Sequence, residues 1–309
     1  MTRRPRRTHG NGGSGLEMQL SILGAHGQVG RALAALARQE SIPHRALGRA
    51  ECDITEPLAV KRAVAESRIV VNCAAYTAVD RAESDQDAAY SVNSLGAENV
   101  AAACAQAGIP LVHLSTDYVF DGTSAQPASE DDPPRPLNAY GRSKLGGEEK
   151  VRERLASHII LRTSWIFSAH GANFVKTILR RARSQSELRV VDDQIGGPTA
   201  ADDLAKAIIR IVEACERPGF SRWGTYHISG APPVSWYDFA RAIVAGLGTV
   251  VVPIATKDFP AAARRPPNSV LDCSRTLRVF GLRQPDWRAA LADVHETLIG
   301  GSQDADIPY

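Results

Sequence analysis

Gln19-Leu20-Ser21-Ile22-Leu23 is a short apolar run closed by a glycine. Gly24-Ala25-His26-Gly27-Gln28-Val29-Gly30 follows, then Arg31-Ala32-Leu33-Ala34-Ala35-Leu36-Ala37-Arg38, a stretch rich in helix formers. The order is strand, glycine turn, helix, and it constrains the fold more than any other part of the chain. A tight turn needs a residue without Cβ, a phosphate needs close backbone approach, and helix-on-strand packing needs a small side chain. Gly24, Gly27 and Gly30 stand where these needs fall. The start of the helix adds free N–H groups and a partial positive charge, which suit a pyrophosphate. The spacing is G-x-x-G-x-x-G rather than G-x-G-x-x-G, and a purely structural turn is the plainer alternative.

The same alternation continues. Short strands are expected near His44–Leu47, Ile69–Cys73, Leu111–Ser115 and Ile159–Arg162, with helices near Leu58–Glu66, Asp87–Ala107 and Ala139–Leu155. Gly108 and Pro110 close the long helix, and the acid- and proline-rich Ser129–Pro136 is a loop. Such a series predicts an α/β, Rossmann-type doubly wound parallel sheet covered on both faces. After Trp165 the pattern loosens. The organisation expected is a dinucleotide-binding domain over 18–165 with 200–228, and a smaller α/β substrate-binding lobe over 166–199 with 229–300. Residues 1–17 read as a disordered basic tail and 301–309 as a flexible C-terminus.

Charge narrows the function. Arg3, Arg4, Arg6 and Arg7 outweigh Glu17 by three, so a net charge of +2 leaves the rest of the chain at −1. A nearly neutral body offers no broad nucleic-acid surface. Apolar runs such as Ile69–Ala75 are too short to span a bilayer. The five cysteines are odd in number and widely spaced without C-x-x-C, which fits a reducing, cytoplasmic setting rather than a disulfide framework or zinc site. The histidines show neither H-x-x-x-H nor H-E-x-x-H, so no histidine metal site is expected.

Cofactor type is read at the end of the second strand. Arg49 stands where many NAD enzymes carry an acid, and a guanidinium suits a 2′-phosphate, as in NADPH. A solvated arginine is the alternative. Asp53 lies slightly further on and can reach the adenosine end. Tyr140-Gly141-Arg142-Ser143-Lys144 opens a helix after a proline-rich loop, and positions i and i+4 place Tyr140 and Lys144 on one face. A nearby ammonium favours a phenolate, so Lys144 is expected to lower the Tyr140 pKa and fit it for acid–base work on a carbonyl. Thr116, at the end of a strand, brings a hydroxyl for the same oxygen. Trp165 ends a strand beside the presumed cleft, where an indole can pack on a sugar. Trp223, Trp236 and Trp287 read as packing, and His26 as a tolerated exposed side chain. Arg264 and Arg265 form a basic pair able to fork a diphosphate, or a solvated one.

Together these residues resemble the short-chain dehydrogenase/reductase superfamily, in its extended, sugar-nucleotide-modifying branch. The segments Gly24–Gly30, Val71–Asp80, Ser115–Gly122, Tyr140–Lys144, Arg162–Trp165, Asp193–Thr199 and Arg264–Ser269 are similar to the dTDP-4-dehydrorhamnose reductase family over residues 19–299. The resemblance implies reduction of dTDP-4-dehydro-L-rhamnose to dTDP-L-rhamnose with NADPH, NADH being possible, in nucleotide-sugar biosynthesis for cell-surface polysaccharide. It implies that Gly27, Gln28 and Val29 cradle the pyrophosphate, and that Asp53 and Ile54 lie by the adenine. Ala75, Tyr76, Thr77 and Leu114 would line the cofactor channel, with Tyr140 and Lys144 on the nicotinamide ribose. Thr116, Asp117 and Trp165 would contact the sugar nucleotide, with Tyr140 the proton donor. Some family members are dimers joined through magnesium on glutamates. The matching positions here are Ala32 and Asp202, so magnesium is not expected, and a monomer or weak homodimer is. A regulatory subunit of methionine adenosyltransferase shares this pattern, but Thr116, Tyr140 and Lys144 argue for catalysis. An epimerase or dehydratase is a weaker alternative, since dehydratases of this branch typically place Asp-Glu after the hydroxyl residue, and Asp117-Tyr118 stands here.

Overall fold

The computed structural model describes residues 19–300, so the expected tails over 1–17 and 301–309 lie outside the described residues. Strands β1 (Leu20–Leu23), β2 (His44–Leu47), β3 (Ile69–Asn72), β4 (Leu111–Thr116) and β5 (His158–Thr163) form where the short apolar runs predict them. Between them lie α1 (Gln28–Gln39), α2 (Pro57–Val64), α3 (Val79–Ala82), α4 (Gln86–Tyr90), α5 (Ala97–Ala107) and α6 (Ala139–Arg154). Proline at the first position of α2 costs nothing, because the N–H it lacks has no helical partner there.

One long helix is expected over Asp87–Ala107. The structure instead winds Ser91–Gly96 as a π-turn between α4 and α5. Periodicity alone cannot show that insertion, because it shifts the helix face by one residue without breaking the apolar pattern. The far end is as expected: Gly108 closes α5 at φ 69°.

The chain continues as β6 (Ile166–Phe167), α7 (Phe174–Ala182), β7 (Glu187–Val191), β8 (Ile195–Gly196), β9 (Thr199–Ala200), α8 (Ala201–Cys215) and β10 (Gly224–His227). It ends with β11 (Val234–Ser235), α9 (Trp236–Ile243), β12 (Val250–Ile254), α10 (Ser274–Phe280) and α11 (Trp287–Gly300). Six parallel strands make the central sheet, in the order β10-β5-β4-β3-β1-β2. Every residue of β1, β3, β4 and β5 is buried. Leu20 and Ile22 face a core shared with α1 and α8, through Leu33, Ile208 and Ile211. Leu23 and Val70 face the opposite core, with Val60 of α2, Val100 of α5 and Val151 of α6. Each such fully buried side chain contributes about 1.5–3 kcal/mol. The sheet is thus doubly wound, and its order reverses between β1 and β3. Crossovers leave that point on opposite faces, which opens a crevice at the carboxyl ends of the strands.

A smaller α/β body stands over that edge. Its core joins Phe167, Val175, Phe239, Ile243 and Trp287, with β7 and β12 paired in parallel beneath. Trp287 is 1% exposed and donates from Nε1 to the Pro232 carbonyl at 2.8 Å. Trp223 packs edge-on to Phe220. Among the described residues, no helix is long and apolar enough to cross a membrane.

Candidate active site

The glycine turn leads β1 into α1. At Gly24 φ is 75°, and a Cβ there would lie 2.5 Å from the Ala74 nitrogen. A Cβ on Gly30 would lie 2.3 Å from the Gly24 carbonyl oxygen. These two glycines are demanded by the turn itself. Gly27 meets no such obstacle, being exposed on the cleft wall. It is the N-cap of α1 yet supplies no side-chain cap, and the first turn holds no acid. The helix therefore presents its N-terminal dipole, uncompensated, at the cleft.

A pocket of about 290 Å³ adjoins this turn, lined by Gly24, Gly27, Arg49, Asp53, Ile54, Ala75 and Tyr76 among others. Arg49 donates from Nε to Asp53 Oδ2 at 3.0 Å. The Thr55 N–H holds Asp53 below the usual carboxylate range against the effect of burial, helped by the Thr55 hydroxyl and Arg49.

The main cleft, about 590 Å³, opens at the carboxyl ends of β1, β4 and β5. Helix α6 enters it capped by Asn138, whose Oδ1 accepts the Gly141 N–H at 2.7 Å while Nδ2 donates to the Arg264 carbonyl at 2.8 Å. Tyr140 and Lys144 share the cleft-facing side of α6. Lys144 is 2% exposed and donates to the Leu114 carbonyl at 2.6 Å. Burial pulls its ammonium down to about 8, with Glu148 opposing. Tyr140 is pushed up to about 12 by burial; hydrogen bonding from Thr116 pulls it down and the Asp117 charge raises it. The expected lowering of the tyrosine by Lys144 is therefore corrected: desolvation sets the direction, and no lowering comes from the lysine, which is engaged with a backbone carbonyl.

Thr116 Oγ1 donates to Asp117 Oδ1 at 2.9 Å and accepts the Tyr118 N–H at 3.2 Å. Burial pushes the Asp117 carboxyl up to about 7, against hydrogen bonds from Thr116 and Ser269. Asp117 Oδ2 is buried without a partner. Trp165, at φ 48°, holds a backbone conformation that costs a bulky residue about 1–3 kcal/mol. Its indole lies 3.4 Å from that of Trp236 at an interplanar angle of 5°. Both rings line the cleft.

The sequence matches the family described as RmlD substrate binding domain over residues 18–299. It is 40% identical over 297 residues to the dTDP-4-dehydrorhamnose reductase of Sinorhizobium fredii (strain NBRC 101917 / NGR234), covering 93% of this chain and 100% of that one. The chain belongs to the dTDP-4-dehydrorhamnose reductase family. A crystal structure of that enzyme from Clostridium acetobutylicum ATCC 824 superposes with a TM-score of 0.86 at 36% identity, over 91% of this chain and 100% of that one. Another, from Bacillus anthracis str. Ames in complex with NADP, gives 0.84 at 38% identity, over 90% and 98%.

Within this family member, Gly24, Gly27, Gln28, Val29, Gly30, Arg49, Asp53, Ile54, Ala75, Tyr76, Thr77, Leu114, Thr116, Asp117, Tyr140, Lys144 and Trp165 all line one pocket or the other. Arg265 does not. It pairs with Asp80 at 2.7 and 3.2 Å, and meets the cleft only through its hydrogen bond to Tyr118. Asp80 is 185 residues away in sequence, so no local pattern could show that partner. The Gln28 side chain is also committed, since Oε1 accepts from Ser168 Oγ at 3.0 Å and Asn173 Nδ2 at 2.9 Å. It ties the glycine turn to the segment that leads into α7.

Trp236 was expected to be packing alone, and lining the cleft corrects that. His26 is exposed as expected, and also lines both pockets. Sequence reasoning missed Asn93. From the π-turn its Oδ1 accepts the Tyr76 N–H at 2.8 Å, and Nδ2 donates to the Tyr76 carbonyl at 3.0 Å and Ser143 Oγ at 2.9 Å. It pins the loop after β3 to α6. The only prior signal was a polar residue inside an expected helix, which carries no such message. At the Ala32 position, α1 presents a buried methyl to the core.

Proposed function

We propose that this chain reduces dTDP-4-dehydro-L-rhamnose to dTDP-L-rhamnose with NADPH. The single observation carrying this is the convergence of Thr116, Tyr140 and Lys144 on one cleft with an uncapped glycine-turn helix at its other end. The residues present fit a dinucleotide. Gly27 offers a cradle without Cβ, and the N-terminus of α1 favours a pyrophosphate. The Arg49–Asp53 pair places at the adenosine end both a guanidinium for a 2′-phosphate and a carboxylate for a 2′-hydroxyl, which supports NADPH with NADH tolerated. Lys144 holds the nicotinamide ribose. When bound, the reduced nicotinamide supplies a hydride to the sugar C4.

Tyr140 does the proton chemistry. Kept neutral by burial, its hydroxyl donates to the carbonyl oxygen and gives up its proton as negative charge grows there. When Asp117 is protonated and releases the threonine proton, Thr116 donates to the same site and steadies the phenolate. Asp117, with a free buried oxygen, orients the sugar hydroxyls. The stacked Trp165 offers its indole to the sugar nucleotide. In this reading, residues 18–165 with 200–228 bind the dinucleotide and 166–199 with 229–300 the sugar. A cytoplasmic setting is supported by five free thiols, four of them buried. We read the molecule as a monomer or weak homodimer that works without magnesium, on the buried Ala32 methyl.

Loss of absorbance at the reduced-nicotinamide band, measured with purified dTDP-4-dehydro-L-rhamnose, tests the reading. Oxidation should depend on the sugar nucleotide; no oxidation above background with any dTDP-4-keto sugar would defeat it.

A further inference from the structure

Helix α6 buries a third ionisable side chain one turn beyond Lys144. Glu148 is 0% exposed. Its carboxylate accepts Ser115 Oγ at 2.6 Å, Arg162 Nε at 2.8 Å, Arg162 Nη2 at 2.6 Å and Arg152 Nη2 at 2.7 Å. Arg162 is itself 1% exposed, with Nη1 3.4 Å from His227 Nε2. A pair so buried adds little net stability over apolar residues of the same volume. Its surroundings give it another use. Ser115 adjoins Thr116, and Lys144 lies four residues back on the same helix face.

The titratable groups acting on Lys144 are Glu148 from α6, Cys73 after β3 and His113 of β4. Burial keeps Cys73 a neutral thiol and His113 a neutral imidazole. Glu148 is therefore the anion that favours the lysine's charged form. Burial opposes its ionisation, but Arg162, Arg152 and Ser115 hold it down to about 2.

We propose that Glu148 is a positioning residue for the reduction: clamped by Arg162 and Ser115, it keeps the Lys144 ammonium charged and fixed on β4 for the cofactor ribose. This rests on the reading of Lys144 as the ribose ligand. The experiment is fluorescence titration of NADPH into the full chain at pH 6 to 9.5. Wild-type affinity should fall with a midpoint near 8, where the buried lysine loses its proton. Glu148→Gln should bind within about threefold of wild type at pH 6, with its midpoint lowered by at least about one pH unit, which is at least about fivefold weaker binding at pH 8. Glu148→Asp, which keeps the charge, should restore the wild-type midpoint.

Glu148→Gln leaves Arg162 buried without its carboxylate, so Glu148→Gln/Arg162→Met is measured beside it and should show the same lowered midpoint. An unmoved midpoint, or a loss of affinity equal at every pH, overturns the proposal. Failure of the wild type to bind NADPH would defeat the functional reading instead.

Discussion

Thr116 Oγ1 and Asp117 Oδ1 are 2.9 Å apart, and the direction of that hydrogen bond sets what Thr116 can give a substrate. An ionised Asp117 accepts the threonine proton; a protonated one releases it. With Asp117 pushed up to about 7, turnover should drop about tenfold from pH 6 to 8, the worth of one hydrogen bond. Asp117→Asn should remove that step from the profile of kcat/KM against pH, and a step that persists would place its origin elsewhere. Tyr140→Phe should bind NADPH within about threefold of wild type and lose roughly two to four orders of magnitude in turnover, the usual range for a lost general acid. Unchanged turnover would remove the acid role. Tyr140 and Lys144 were legible because a helix converts i, i+4 spacing into a shared face. The partners of Arg265 and Gln28 were not, since Asp80, Ser168 and Asn173 meet them only through the folded topology.

At the scale of elements, strands and helices of the sheet could be read because apolar runs alternate with helix formers. The π-turn at Ser91–Gly96 could not, yet it aims Asn93 at both Tyr76 and Ser143. The platform beneath the cleft was half visible. Trp165 announced itself at a strand end, but Trp236 opens α9 some 71 residues later and meets it only through the folded topology. Trp165, in its strained backbone conformation, stacks against Trp236. Trp236→Ala should raise KM for the sugar nucleotide about tenfold, the loss of one aromatic contact, and leave NADPH affinity unchanged. Trp236→Phe should recover most of it. Steady-state kinetics with each substrate varied separately checks this; an unchanged sugar KM would make the stack purely structural.

Across the whole molecule, the buried network under α6 sets the response to acid. His227 is pulled down to about 3 from an ordinary 6.5, chiefly by burial and then by the Arg162 charge. Between those values the unfolded chain holds a proton that the native one refuses, so stability falls as pH drops from 6.5 toward 3. Glu148, at about 2 against 4.5, adds a loss between 4.5 and 2. Urea unfolding across this range should show a shallower pH slope in His227→Asn, and an unaltered slope would contradict the assignment. The fold matters to function only through the reaction proposed for its cleft. NADPH carrying deuterium at both hydrogen positions of nicotinamide C4, in a reaction with dTDP-4-dehydro-L-rhamnose, tests that most directly. Mass and proton magnetic resonance spectra should place one deuterium on C4 of dTDP-L-rhamnose. Product without deuterium at C4, or no product from a chain that binds NADPH, would contradict the account.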